Sequence, residues 1–502
     1  MKKRNLQRIF AAFMATAMVV GATACNKTDD GGDAKATDAP KTTDAPETTD
    51  APKTTDAETT PEATKAPGTD DVVVTEAPIV DVDLGGINVI IRDWWSPTLE
   101  EQYPKDPVSA YEIARNEYRD EMMKQYNFTI REAAISDWGA ANTDFVDYVN
   151  AGGDDQYYIF TLHIDPTVAN AMASGLMYDL HTLDCLDFSD VKFQRNKMHE
   201  QMSIGSSYYA FFPGYSEPRT GVYFNKQVLT DAGIDPDSLY DMQAAGTWTW
   251  DEFEKIMAAC QRDLNSDGVD DIYGLTLNES VMTDMAVLSN NGSYISKTAD
   301  GKYVYNLEAP ETLEALEWCV DMYTKYDAHD PEGAAWDYYQ EEWRAGKAAF
   351  LVEQEYAAAP GNLFEETDFE MGFVVFPKGP QATTYASLWA NNAYVIPACY
   401  DADKAWKIAF AWNVFTNPVP GFENVNGYME TAQNGNFDQR TLDETLALMA
   451  DPSAGVLVYT DFVSGIETGP QLTWNIGPNA SVSSIVEGIR DQWKKLVDDA
   501  NK

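Results

Sequence analysis

From Ile87 onward, short β-branched apolar runs alternate with stretches of helical periodicity, and this alternation restricts the chain more than any other feature. Ile87-Asn88-Val89-Ile90-Ile91 follows Gly85-Gly86 and has the length and branching of a buried strand. The spacing predicts a helix over 110–126, with Ile113, Tyr118, Met122 and Met123 as its apolar face. Strands over 128–130 and 157–162 follow, separated by a helix carrying Phe145, Val146, Tyr148 and Val149 and closed by Gly152-Gly153. A helix over 168–174 comes next. Strand–helix–strand–helix order argues for an α/β fold with mainly parallel sheets.

The segments 208–215 and 221–225 read as a crossing into a second lobe, which holds strands over 273–277, 348–352 and 372–376 and helices over 313–326 and 339–344. Residues 384–396 read as a return, followed by a helix over 404–416. The final helix begins at Ser481, with Val482, Ile485, Val486, Ile489, Trp493 and Leu496 at helical spacing. The expected boundaries are 84–217 with 384–428 for the first lobe, and 218–383 with 429–502 for the second. Two lobes joined by hinge crossings enclose a cleft.

One stretch of the second lobe is strongly punctuated. Thr249 and Glu252 have capping-box spacing, and Phe253, Ile256, Met257 and Cys260 form one apolar helix face. Asp263, Asn265, Asp267, Val269 and Asp271 then place oxygen ligands around the Gly268 turn, the ligand density a calcium ion needs. Gly274 stands where an EF-hand supplies a bidentate glutamate, so no second EF helix is expected. The structural alternative is a polar turn after a helix.

The N-terminus addresses location. Lys2, Lys3, Arg4 and Arg8 precede an apolar run over 9–21, too short to span a bilayer, which reads as a secretory signal over 1–24. Ala22-Thr23-Ala24-Cys25 is similar to a lipobox and implies acylation of Cys25, the expected membrane attachment. Residues 25–80 repeat DAPKTT and DAPETT without large apolar side chains, the composition of a disordered tether. A net charge of −46, from 81 acidic and 35 basic residues, excludes a basic nucleic-acid footprint. Cys185, Cys260, Cys319 and Cys399 have no metal-binding spacing, although their even number permits a disulfide.

The run Val222-Tyr223-Phe224-Asn225-Lys226, then Ala232-Gly233-Ile234-Asp235, then Thr249-Trp250-Asp251-Glu252 resembles the signature of family 1 extracellular solute-binding proteins. The calcium-like loop resembles the structural calcium loop of its alginate-oligosaccharide-binding members. The resemblance covers the chain from about Leu84 onward. It implies a two-lobe, type II periplasmic-binding-protein-like fold. It also implies a monomer that captures an oligosaccharide and hands it to the permease of an ABC importer.

Sugars offer apolar C–H faces and a rim of hydroxyls, so aromatic platforms beside carboxylates and amides suit them. Trp94 and Trp95 follow the first strand, and Trp138 the second. By resemblance to maltose-type binders, Tyr356 lies ten residues after Gly346, Glu279 thirteen before Gly292, Trp474 stands before the last helix, and Asp165 belongs to a polar cluster after the third strand. Glu217 and Arg219 lie at the first crossing, and Trp389 and Asn391 on the return. The other function classes weighed are a cell-surface carbohydrate hydrolase and a tethered adhesin; no nucleophile, phosphate-loop or zinc motif favours an enzyme.

Overall fold

The computed structural model describes residues 82–107, 109–327, 335–364 and 367–502. The expected leader, Cys25 and the tether lie outside the described residues.

The first lobe is built on β1 (Ile87–Asp93), α1 (Ala110–Gln125), β2 (Phe128–Ala134), α2 (Ala141–Asn150), β3 (Tyr157–His163) and α3 (Pro166–Ala173). β1 is central and parallel to both neighbours, with Val89 opposite Ile130 on one side and Tyr157 on the other. Val89, Ile130, Ile159 and Leu162 are buried, and α2 and α3 add Phe145 and Val168 to the core. α3 starts where it does because the Asp165 carboxylate accepts the Val168 N–H and Pro166 needs no donor in the first turn. In α1 no residue is buried, and Ile113 of the expected apolar face is exposed. The helix docks through its polar tips instead: the Tyr118 hydroxyl donates to the Val414 carbonyl, and Arg119 lies over the Phe415 ring.

The second lobe comprises β4 (Thr220–Asn225), α4 (Trp250–Cys260), β5 (Tyr273–Leu277), α5 (Glu279–Ser289), α6 (Pro310–Tyr326), β6 (Ala348–Gln354) and β7 (Met371–Val375). Its sheet order is β7-β4-β6-β5. β6 is parallel to β5, while β4 runs antiparallel to both β6 and β7. The chain then returns as β8 (Asn392–Val395), antiparallel on β3, followed by α7 (Ala402–Phe415). α8 (Val482–Ala500), capped by Ser481, turns Val482, Val486, Trp493 and Val497 into the second-lobe core.

Thr249 occupies the N-cap position of α4, but its hydroxyl makes no capping bond, and Glu252 faces Lys255 instead. The Trp250 N–H donates to the Lys378 carbonyl, so the neighbouring loop takes over part of the cap's work. Trp250 stacks on Trp318 at 4.2 Å and is structural. All four described cysteines are free thiols, with Cys260 and Cys319 buried. Among the described residues no helix is long and apolar enough to cross a membrane.

Candidate functional site

Parallel strands deliver their following loops to one edge of a sheet, where α/β ligand sites form. At that edge of the first lobe the loops after β1, β2 and β3 converge on His163. The Trp138 indole lies flat against its imidazole, and Trp94 meets the same ring edge-on at 5.8 Å. Trp95 stands perpendicular to Trp94 at 4.8 Å. Exposures of 49% for Trp95 and 40% for Trp138 leave ring surface free for a ligand.

Asp93, which sequence reasoning missed, sets this rim. Its buried carboxylate accepts from the Trp95 and Ser96 N–H groups and from the Ser96 hydroxyl, fixing the turn that carries both indoles. An acid at the inward-facing end of a buried strand is the signal that could have found it. Burial raises its pKa and lowers that of His163. Asp165 lies 3.8 Å from His163 Nε2, but its carboxylate is also engaged as the α3 cap.

The two chain crossings are hydrogen-bonded to each other. The Arg219 N–H donates to the Leu388 carbonyl and the Ala390 N–H to the Glu217 carbonyl, both at 2.8 Å. The residue that follows β6 joins them, its Glu355 N–H donating to the Arg219 carbonyl. The Arg219 guanidinium is 2.9 Å from Glu217 and sits over the Tyr356 ring at 5.1 Å. The Asn391 side chain donates to the Ile164 carbonyl just past β3. The Trp389 indole N–H donates to the Met449 carbonyl, and its ring packs on Gly455.

Beside these crossings lies a cavity of about 260 Å³, lined among others by Arg219, Trp389, Asn391, Lys197, Asp284 and Asp461. Asp284 comes from α5 and the others from the crossings, the first lobe and the segment before α8, so both lobes contribute wall. Burial first of all raises Asp284 to about 7 and Asp461 to about 6. Neither acid carries a sequence motif: Asp284 lies in the middle of a helix of mixed polar and apolar residues, and Asp461 lies in a single turn.

Nine of the eleven expected ligand residues thus fall in two groups. Trp94, Trp95, Trp138 and Asp165 belong to the rim, and Glu217, Arg219, Tyr356, Trp389 and Asn391 to the crossings. Glu279 and Trp474 lie on a further pair of segments, tied together by the Ser280 and Thr473 hydroxyls at 2.8 Å. Glu279 is exposed in the first turn of α5, and Trp474 rests on Gly469.

Among the described residues no group of three or more His, Cys, Asp or Glu side chains is placed to hold a metal ion. The loop over 263–271 turns its oxygens onto its own amides. Asp263 accepts from Ser266 and Gly268, Asn265 from Asp267, Asp267 from Val269, and Asp271 from Leu264 and Asn265.

A family model described as bacterial extracellular solute-binding protein matches residues 134–412, more than half of the chain. Solved structures share the fold. The cyclic α-maltosyl-1,6-maltose binding protein from Arthrobacter globiformis is 15% identical with a TM-score of 0.56, over 83% of this chain and 100% of that one. UgpB from Mycobacterium tuberculosis, in complex with glycerophosphocholine, is 16% identical with a TM-score of 0.55, over 82% and 99%. The GacH receptor of Streptomyces glaucescens, solved unliganded and with acarbose, is 15% identical with a TM-score of 0.52, over 82% and 99%. No curated protein matches the chain in sequence.

Proposed function

From the premise that the chain belongs to the bacterial extracellular solute-binding proteins, we propose that it captures an oligosaccharide between its lobes and delivers it to an ABC permease. One observation carries this reading. The cavity beside the hydrogen-bonded crossings takes its wall from both lobes, with Trp389 and Tyr294 in that wall and further rings on the first-lobe rim. A solute touching both walls stabilises the closed arrangement over the open one, and this differential contact is what shifts the population. Trp94, Trp95, Trp138, Tyr356, Trp389 and Trp474 supply platforms, and Asp165, Glu217, Arg219, Glu279 and Asn391 supply polar contacts. Two of the similar structures are named for a sugar ligand or contain one, which supports a carbohydrate.

In the same reading Cys25 carries the lipid, residues 25–80 form the tether, and the receptor works as a monomer on the outer face of the membrane. Calcium binds the loop over 263–271 through Asp263, Asn265, Asp267, the Val269 carbonyl and Asp271. The turn of the Asp263, Asn265, Asp267 and Asp271 side chains onto the loop supports it, and the ion's chemistry there is to brace the loop. The test is a thermal-shift and calorimetric screen of oligosaccharides on the full chain, with reducing-sugar release followed in parallel. A saturable rise in melting temperature without turnover is expected. Release of reducing sugar identifies a hydrolase instead, and indifference to every oligosaccharide removes the carbohydrate.

A further inference from the structure

Two acids face the cavity with little to neutralise them. The Tyr294 hydroxyl donates to Asp284 at 3.0 Å. The Asp461 side chain is half-buried in the cavity wall and has no hydrogen-bond or ion-pair partner among the described residues. Both basic groups of the wall are engaged elsewhere: Lys197 Nζ donates to the Gly455 carbonyl at 2.9 Å, and Arg219 is paired with Glu217. Asp165, from the end of the first-lobe sheet, adds a third negative charge close enough to act on Asp461.

We infer that the solute presents a protonated nitrogen to Asp284 and Asp461, so that the site takes an aminated sugar in preference to a neutral or acidic one. This rests on capture between the lobes. A carboxylate withdrawn from water without a partner is costly, and desolvation together with like charges disfavours its ionised form. Asp461 is in that state and Asp284 keeps a single neutral partner, Tyr294: burial raises each, Asp461 raises Asp284 further, and Asp165 raises Asp461. An ammonium group entering the cavity offsets these effects together, through charge-assisted hydrogen bonds. A sugar hydroxyl offers the acids a weaker, neutral bond. A uronate brings a further negative charge among three. A volume of about 260 Å³ holds one small unit, with any further units extending toward the tryptophan rim.

The experiment is calorimetry of the full chain with a glucosamine trisaccharide, its N-acetylated counterpart and a galacturonic acid trisaccharide. It is repeated on Asp461→Asn and on Asp284→Asn, which keeps an acceptor for Tyr294. The aminated trisaccharide is expected to bind at least about tenfold tighter than the acetylated one, with either substitution removing most of that preference. Its affinity is expected to fall as acid protonates the pair between pH 7 and 5, against the fixed charges of Lys197 and Arg219. Equal binding of the aminated and acetylated sugars, or an unchanged preference in both variants, overturns the inference and leaves capture standing. Silence from all three sugars on the unsubstituted protein, at concentrations where other oligosaccharides bind, overturns it too. Silence from every oligosaccharide removes capture itself, and this inference with it.

Discussion

The indole of Trp138 lies on the imidazole of His163 at 4.3 Å between ring centroids and 16° between planes. The indole comes from the loop after β2 and the imidazole from the last residue of β3, the two strands that flank β1, and the imidazole holds the indole with one face turned outward. Such a platform binds by its orientation, which is set before the ligand arrives. Trp138→Ala should therefore weaken oligosaccharide binding by about 1 kcal/mol, near fivefold, the usual worth of an aromatic contact beyond its area. The melting temperature should hardly move, because the ring is half in solvent. Calorimetry beside a melting curve checks both, and a large loss of stability with unchanged affinity would show that the ring belongs to the core.

Gly455 bears on the opposite side of the site. A Cβ at this position would come within 2.4 Å of the Trp389 ring, which the hydrogen bond to Met449 holds in place. Gly455→Ala should cost about 1–3 kcal/mol through overpacking. The melting temperature should drop by a few degrees and solute affinity should fall as the ring leaves the cavity wall. A melting curve as high as that of the unsubstituted protein would mean that the crossing gives way easily.

The pH dependence of stability has a definite sign. Burial raises Asp461 to about 6, Asp284 to about 7 and Glu355 to about 8 in the folded state. A carboxylate raised on folding contributes stability that is full below its unfolded value and is lost as pH rises through the folded one. The melting temperature should thus decline from about pH 5 to pH 8 through these three groups. His163 and His199, lowered by burial, act the other way near their ordinary value of 6.5, but they are two against three. Lys192, lowered to about 7, adds stability only as pH rises past that point. Asp284→Asn with Asp461→Asn should flatten the slope between pH 5 and 7. A double variant that melts with the same pH slope as the unsubstituted protein refutes the assignment.

Much of this arrangement could be read before the fold was known, because it follows local rules. The strand over 273–277 emerged as β5 residue for residue, and the last helix, expected from Ser481, runs from Val482 with Ser481 as its cap. Trp94, Trp95 and Trp138 were legible because loops after parallel strands share an edge whatever fills them. Asp284 and Asp461 were not. Neither belongs to a motif in its segment, and the significance of each lies in what distant parts of the chain place around it. Thr249 shows the same limit from the other side: its motif is intact, yet a tertiary carbonyl from Lys378 claimed the donor that opens the helix. Ile113 sits at a helical spacing that periodicity reads as core, while α1 docks through Tyr118 and Arg119.

The loop over 263–271 yields the last prediction. Asp263 and Asp271 stand at its two ends, and both aim oxygens at amides within it, so the negative charge is gathered over one turn. A divalent cation relieves that gathering, whereas the amides alone supply only partial charges. Calcium should raise the melting temperature by an amount that grows with the logarithm of its concentration, about 2.7 kcal/mol at a hundredfold excess over the dissociation constant. Magnesium should do less, since it keeps its waters and demands a stricter octahedron. Asp263→Ala should abolish the calcium effect, and chelation should lower the melting temperature while leaving oligosaccharide affinity within about twofold, because the loop shares no residue with the rim or the cavity. A melting temperature indifferent to calcium would leave 263–271 as a self-bonded turn. Loss of sugar binding on chelation, with the fold intact, would place the ion in the site itself.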